Sequence, residues 1–370
     1  MKVLFITRKY PPQIGGMEKY SKGLIENIDC QKRLIALKRS QWHLVWFIPY
    51  SIIKGFFMSR DCDLIYFCDS FMAMAGSILK FLTKKPVLIT AHGLDVTYSN
   101  PLYQFVIVRQ LKHLDKVICV SNSTIDECVK RNVPKEKCLF IPNGVDFYKN
   151  DVLSSLHKSR LSYLKVKSSY KKYLFKYCKK QMKKRKVLIT VGRLIKRKGV
   201  AWFVKNVMPN LDESIDYLIV GSGNDASRIK SIISKQKLEN RVFLLGRLSE
   251  IELKRVCYAS DVFVMPNIKI KNDLEGFGIV AIEASNWGLP VLASDIEGIK
   301  DAIKNKKNGV LVESLNSKSF IKNINKFLND PDYARLFARN SFEYNSKQYS
   351  WDRICGKYLS LFENIIRIYK

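Results

Sequence analysis

The 370-residue sequence is poor in acid. Its 33 Asp and Glu stand against 64 Lys and Arg, a formal net charge of +31. It has no CxxC pair and no Cys/His grouping with zinc-like spacing; its nine cysteines (30, 62, 68, 119, 128, 138, 178, 257 and 355) are scattered. Without a secretory segment at its start, that usage is expected of free thiols in a reducing cytoplasm. No run of about 20 uninterrupted apolar residues occurs, so no membrane span is expected. The stretch 42–58 (WHLVWFIPYSIIKGFFM) is broken by His43, Pro49, Ser51, Lys54 and Gly55. It reads either as a buried or docking helix or as an interfacial membrane contact. Glycine and proline are limited, at 18 and 11, and an apolar share of 47% excludes wholesale disorder. Neither GxGxxG nor GxxxxGK[ST] is present, which removes a dinucleotide fingerprint and a P-loop. Asp61-Cys62-Asp63 is a DxD triplet, but it precedes a strand instead of ending one and is read as incidental. No metal site is expected.

What is there is positive charge, and it is uneven. Residues 158–186 hold 13 Lys and Arg and no acid, interleaved with Leu161, Tyr163, Leu164, Tyr170, Tyr173, Leu174, Phe175 and Tyr177. Such a segment is either a solvated basic helix or an amphipathic element lying on an anionic bilayer. Nucleic acid is a weaker fit, since no nucleic-acid module accompanies it.

Short apolar runs bounded by turns alternate with helical stretches. Strands are expected at Lys2–Thr7, Asp63–Cys68, Pro86–Ala91, Lys116–Ser121 and Cys138–Pro142. The pattern restarts with Lys186–Val191, Ser214–Val220, Arg241–Leu245, Val262–Pro266, Pro290–Ala293 and Gly309–Leu311. Alternation of this kind predicts parallel α/β sheets. Two doubly wound units follow, with ligands at the carboxyl ends of the strands and the site in a cleft between facing domains.

Three motifs fall at those strand ends. Gly15-Gly16 precedes a helix and would let backbone N–H groups approach an anion, although a tight βα turn explains the pair equally well. Arg193 and Lys198, in GRLIKRKG, could converge on a diphosphate, the Arg as a planar fork and the Lys as a mobile point charge. In Glu275-Gly276-Phe277-Gly278-Ile279, a helix beginning near Ile279 would aim the amides of 276–280 at a phosphate or polar sugar. Glu283, farther along, could accept hydrogen bonds from a ribose diol.

Taken together and in order, these motifs resemble family 4 (group 1) retaining glycosyltransferases of the GT-B fold. The likeness rests on GG-x-E at Gly15–Glu18, TAHG at Thr90–Gly93, PNGVD at Pro142–Asp146, GRL…KG at Arg193/Lys198 and E-x7-E at Glu275/Glu283. Val220–Gly223, Leu245–Arg247 and Tyr349-Ser350-Trp351-Asp352 extend it over nearly the whole chain. The resemblance implies two Rossmann-like domains facing across a cleft. Residues 1–165 would form the acceptor-side domain, completed by a C-terminal helix at 351–370. Residues 166–186 would be a basic linker, and 187–350 the nucleotide-sugar domain. It further implies that Arg193 and Lys198 hold the donor diphosphate, Glu283 the ribose and Glu275 the donor sugar, with Gly276, Phe277, Gly278 and Ile279 positioning sugar hydroxyls and phosphate. Gly15 and Gly16 would line the cleft, and His92 would approach the transferred sugar, unless it merely caps its strand.

The expected activity is transfer from a UDP- or GDP-sugar, without a cofactor, to a glycan or lipid-linked acceptor in lipopolysaccharide, capsule or other cell-surface polysaccharide synthesis. The enzyme would be cytoplasmic and peripheral on the inner membrane face, with Lys158–Lys186 as the membrane contact. A catalytically silent relative binding anionic lipid or nucleic acid is the alternative. An epimerase or a phosphorylase of the same fold has no motif to favour it.

Overall fold

The computed structural model describes residues 1–38, 41–148 and 150–370, and divides them into two compact units. The first comprises Met1–Asp146, Lys271–Phe277 and Gln348–Lys370; the second comprises Phe147–Ile270 and Gly278–Lys347. Among the described residues no helix is long and apolar enough to cross a membrane.

The first unit contains β1 (Lys2–Thr7), β2 (Gln31–Ala36), β3 (Leu64–Phe67), β4 (Val87–Ala91), β5 (Lys116–Cys119) and β6 (Cys138–Phe140). They form one parallel sheet in the order β2-β1-β3-β4-β5-β6. Central strands such as LIYF in β3 are buried at every position, because helices cover both faces of the sheet. Alternate residues feed two cores. Leu4, Ile6, Ile65, Phe67 and Ile89 face helices Leu44–Met58 and Ala73–Thr83. Val3, Phe5, Leu64, Tyr66 and Leu88 face helix Gly16–Asn27 and the C-terminal helix Trp351–Tyr369. β2 is the strand missing from the sequence reading. It lies at the sheet edge, and QKRLIA exposes its first two residues, so it lacks the apolar run that marks a buried strand.

The C-terminal helix is held to this unit by polar and aromatic contacts. The Tyr20 hydroxyl lies 2.9 Å from that of Tyr66, 2.8 Å from Thr90 Oγ1 and 2.7 Å from the Tyr358 hydroxyl, all buried. One donor and two acceptor lone pairs satisfy all three contacts. The Val145 amide donates to the Tyr349 carbonyl at 2.7 Å. The Trp351 indole occupies the space where a Cβ on Gly23 or Gly144 would stand, 2.1 and 2.3 Å away. Two of the quoted motifs, PNGVD and YSWD, are therefore parts of one seam.

The second unit contains β7 (Lys186–Val191), β8 (Ile215–Val220), β9 (Val242–Gly246), β10 (Val262–Met265), β11 (Val291–Ser294) and β12 (Val310–Val312). All its pairs are parallel, and the order is β12-β11-β10-β7-β8-β9. Numbered within the unit this is the 3-2-1-4-5-6 order of doubly wound nucleotide-binding sheets, read from the other edge. Both units are thus doubly wound α/β, as the alternating pattern implies.

Residues 158–186 fold into the second unit. Helix Arg160–Lys171, a 3₁₀ turn at Lys172–Leu174, helix Phe175–Cys178 and the stretch from there to β7 bury Tyr163, Leu174, Cys178 and Met182. Five of their cations bind acids of the same unit: Arg160 with Asp332, Lys171 with Asp261, Lys176 with Glu252, and Lys180 and Arg185 with Asp216. Lys167 is 2% exposed, and its Nζ has no hydrogen-bond partner among the described residues. It lies 5.3 Å over the Tyr163 ring. Burial pulls this ammonium down to about 8 from an ordinary 10.5.

Two outcomes follow from these contacts. Tyr20→Phe leaves the Tyr358 hydroxyl without its contact to Tyr20 and should cost about 1–3 kcal/mol, read by denaturant unfolding. Lys167 binds a proton more weakly folded than unfolded. Its contribution to stability therefore rises with pH between about 8 and 10.5. Lys167→Met should raise the thermal midpoint at pH 7 and flatten that rise.

Candidate functional site

In a parallel sheet every strand delivers its carboxyl end to the same edge, and the chain opens a crevice where successive strands part to opposite sides. In the second unit that point lies between β7 and β10; in the first it lies between β1 and β3.

At the second unit's crevice, Thr190 near the end of β7 is bonded to the Val264 carbonyl of β10 at 2.5 Å and to the Tyr217 hydroxyl of β8 at 2.6 Å. These contacts fix the strand from which Gly192 and Arg193 emerge. Arg193 is exposed and, among the described residues, outside any ion pair. The 3₁₀ turn Lys196–Lys198 brings the chain back. The Lys198 Cε reaches 3.8 Å from where a Gly192 Cβ would stand. Lys198, half-buried, is thus folded over the end of β7 that presents Arg193. A third cation joins this edge: Arg247, after β9, donates from Nε to Ser222 Oγ, after β8, at 2.8 Å. A row of cations at the amide-rich ends of parallel strands suits an anion bearing more than one charge.

Gly278 adopts a left-handed φ of 78° and starts helix Ile279–Glu283, which continues as a 3₁₀ turn through Trp287. The helix begins where expected, but only its first part is α-helix. Glu283 is half-buried, and its charge adds to burial in pushing the Cys257 thiol well above its ordinary range.

The first unit assembles a different set. Arg8, directly after β1, donates from Nε to Asp69 Oδ1 at 2.8 Å, across the crevice to the end of β3. Asp69 is fully buried, and the Arg8 guanidinium also lies 4.4 Å over the Phe71 ring. His92, after β4, places Nε2 2.9 Å from the Cys68 carbonyl. A carbonyl only accepts, so Nε2 carries the proton and the lone pair of the neutral ring is on Nδ1. Edge-on packing against Tyr20, with centroids 4.7 Å apart, sets the ring plane. Asp95 ties the turn down, accepting from the His92 amide at 2.8 Å and the Ser70 amide at 3.1 Å.

Segment Lys271–Phe277 meets this turn. A Cβ on Gly276 would stand 2.0 Å from the His92 carbonyl oxygen, so only glycine permits the approach. Glu275 beside it is buried at 7% exposure, and Phe277 is buried edge-on against Tyr349, with centroids 5.9 Å apart. The structure therefore brings His92 together with Gly276, two candidates 184 positions apart in the sequence. At Gly15-Gly16, the Glu18 carboxylate folds back to 2.3 Å from where a Gly15 Cβ would stand, and it pairs with Lys9 at 3.1 Å. The anion beside this helix start belongs to the chain itself. Gly16 has open space around it.

Sequence reasoning missed Arg8 and Asp69. Arg8 directly follows one buried apolar strand and Asp69 follows another after one intervening residue, and a charged residue in that position was the available signal. It also missed a cluster of cysteines: the sulfurs of Cys119, Cys128 and Cys138 lie within 4.8 Å of one another, a metal-compatible grouping that spacings of nine and ten residues did not suggest. The DxD carboxylates have local partners. Asp61 pairs with Lys2 and Arg33, whose contacts hold it below its ordinary range, and Asp63 accepts the Lys2 amide. Gly276→Ala should cost about 1–3 kcal/mol through overpacking against the His92 carbonyl, measured as a lowered unfolding midpoint.

Comparison with known proteins agrees with this architecture. The model for glycosyltransferase family 4 matches residues 2–148, and that for glycosyl transferases group 1 matches residues 177–348. An uncharacterised glycosyltransferase of Methanocaldococcus jannaschii is 24% identical over 98% of both chains. A GDP-mannose-dependent α-(1-6)-phosphatidylinositol monomannoside mannosyltransferase of Mycobacterium tuberculosis is 21% identical over 96% of both. The crystal structure of Anabaena HepE in complex with UDP-glucose superposes with a TM-score of 0.77 at 19% identity, covering 98% of this chain and 100% of that one. The chain belongs to the family 4, group 1 glycosyltransferases and has their two-domain α/β GT-B fold.

Proposed function

We propose that this glycosyltransferase retains anomeric configuration and moves a sugar from a UDP- or GDP-sugar to a glycan or lipid-linked acceptor at the inner face of the cytoplasmic membrane. Lipopolysaccharide, capsule or other cell-surface polysaccharide synthesis is the setting. The observation that carries the reading is the pair Arg193 and Lys198 on the end of β7, beside the crevice of a sheet with nucleotide-binding strand order. The names of the similar proteins support the donor class, since GDP-mannose and UDP-glucose are both nucleoside diphosphate sugars. The phosphatidylinositol mannoside of the mycobacterial name supports a lipid-linked acceptor.

In this reading the bond between the anomeric carbon and the phosphate oxygen breaks as the acceptor hydroxyl oxygen bonds to that carbon on the same face; negative charge grows on the departing diphosphate, which takes up the acceptor's proton. Arg193 and Lys198 neutralise that charge as it develops, the largest contribution a protein makes to such a step. Glu283 accepts hydrogen bonds from the ribose. Glu275 faces the donor sugar, and the 276–279 backbone (Gly276, Phe277, Gly278, Ile279) holds its hydroxyls and phosphate. Gly16 leaves room on the acceptor side, Gly15 lines the same turn with the Glu18 carboxylate folded against it, and His92 approaches the transferred sugar with Nδ1 available as an acceptor. No cofactor or metal is assigned a role.

Incubation with a panel of nucleotide sugars should reveal slow donor hydrolysis by the wild type. Arg193→Ala, Lys198→Ala and Glu275→Ala should each lower turnover by about 10²–10³-fold. Near-wild-type turnover in all three would remove the assignment of these residues. The anomeric configuration of the product, read by NMR, decides retention.

A further inference from the structure

The first unit has an outer face that its own fold does not cover. On helix Leu44–Met58 one side packs on the sheet through Phe47, Ser51 and Gly55. The other side shows Trp46, Ile53 and Phe57 to solvent at 76%, 62% and 56% exposure, with Trp42 just ahead at 91%. The neighbouring helix Ala73–Thr83 adds Phe81 at 72%, and helix Pro101–Val106 adds Phe105 at 63%. These helices cover the same sheet face, and the turn after 101–106 packs on helix 73–83. Isolated exposed apolar side chains are ordinary; a layer of large aromatics across successive helices is not.

The charge on this face is mostly positive, the bordering Asp61 and Asp115 being paired with Lys2, Arg33 and Lys80. Residues 30–60, 70–94 and 96–114 contain no Asp or Glu. Cations lie on the exposed rings: Arg60 5.1 Å over Phe57, Lys84 4.5 Å over Phe81, and Arg109 5.3 Å over Phe105. Aromatic rings paired with Lys or Arg, and no acid among them, match the boundary between acyl chains and anionic headgroups. The basic segment 158–186 is built differently. Five of its cations are bound by acids of its own unit and Lys167 is buried, so less of its charge is available to a partner.

We propose that this aromatic, acid-poor face of the first unit docks on the surface of an anionic lipid bilayer, and that the contact is centred on Trp42, Trp46 and Phe57. The inference rests on the preceding reading only for placing the acceptor at the membrane. The docking itself requires neither donor nor transfer.

Vesicles of phosphatidylglycerol and phosphatidylcholine, compared with phosphatidylcholine alone, test it by co-sedimentation without any sugar nucleotide. The full-length wild type should bind the anionic vesicles and bind less as salt rises. Its tryptophan emission should shift to the blue. Trp42→Ser/Trp46→Ser/Phe57→Ser should lower the partition coefficient at least about tenfold, since each side chain loses its apolar burial. Donor hydrolysis should be unchanged, which shows that the variant is folded. Gln at Lys165, Lys172, Lys179, Lys183 and Lys184, all exposed in the basic segment, should leave vesicle binding in place. The proposal is overturned if wild type ignores anionic vesicles, if the aromatic variant binds as wild type does, or if only the Gln variant loses binding. A concentration-dependent dimer abolished by the aromatic substitutions would overturn it too, assigning the face to a second copy of the chain. Loss of donor hydrolysis in Arg193→Ala with vesicle binding intact keeps the two readings separable.

Discussion

Parallel pairing is the constraint on which the rest of this protein depends. Among the described residues, twelve strands in two sheets all deliver their carboxyl ends to one edge of their own sheet. Every βα turn of a sheet is therefore gathered on one side, where strands end and helices begin. Arg193, Lys198 and Arg247 reach their positions because they follow β7 and β9. Arg8, Asp69 and His92 reach theirs because they follow β1, β3 and β4. The chemistry of each unit is set by which side chains occupy these few positions.

Behind the turns, rigidity comes from buried polar contacts that are satisfied. Tyr20 links β3, β4 and the C-terminal helix through one hydroxyl and also faces the His92 ring. Thr190 does comparable work in the second unit, joining β7 to β8 and β10. Both lie directly beneath residues proposed to meet substrate, so the core and the crevice share a scaffold. Lys167 is one exception, a buried ammonium opposed by desolvation and helped by the Asp261 charge and the Tyr163 ring.

Much of the fold was legible because buried parallel strands write themselves as short apolar runs. The expected Lys186–Val191 coincides with β7, and the other expected strands overlap those observed. β2 was not legible, since an edge strand need not be apolar. The basic stretch was legible as helix and charge. Its partners Asp216, Glu252, Asp261 and Asp332 lie far along the chain and could not be foreseen. Composition showed an excess of cations; pairing distances showed which of them are engaged.

The sequence by itself determined the class of fold, the family and the order of the motifs, because these depend on local apolar periodicity and on residues adjacent to strand ends. Tertiary structure alone decided which distant residues meet: His92 against Gly276, Arg8 against Asp69, Trp351 against Gly23 and Gly144, and three separated cysteines against one another. It also decided that the aromatic side of residues 42–58 stays uncovered. Periodicity says that a helix has an apolar face. Only packing says whether all of its apolar surface is used.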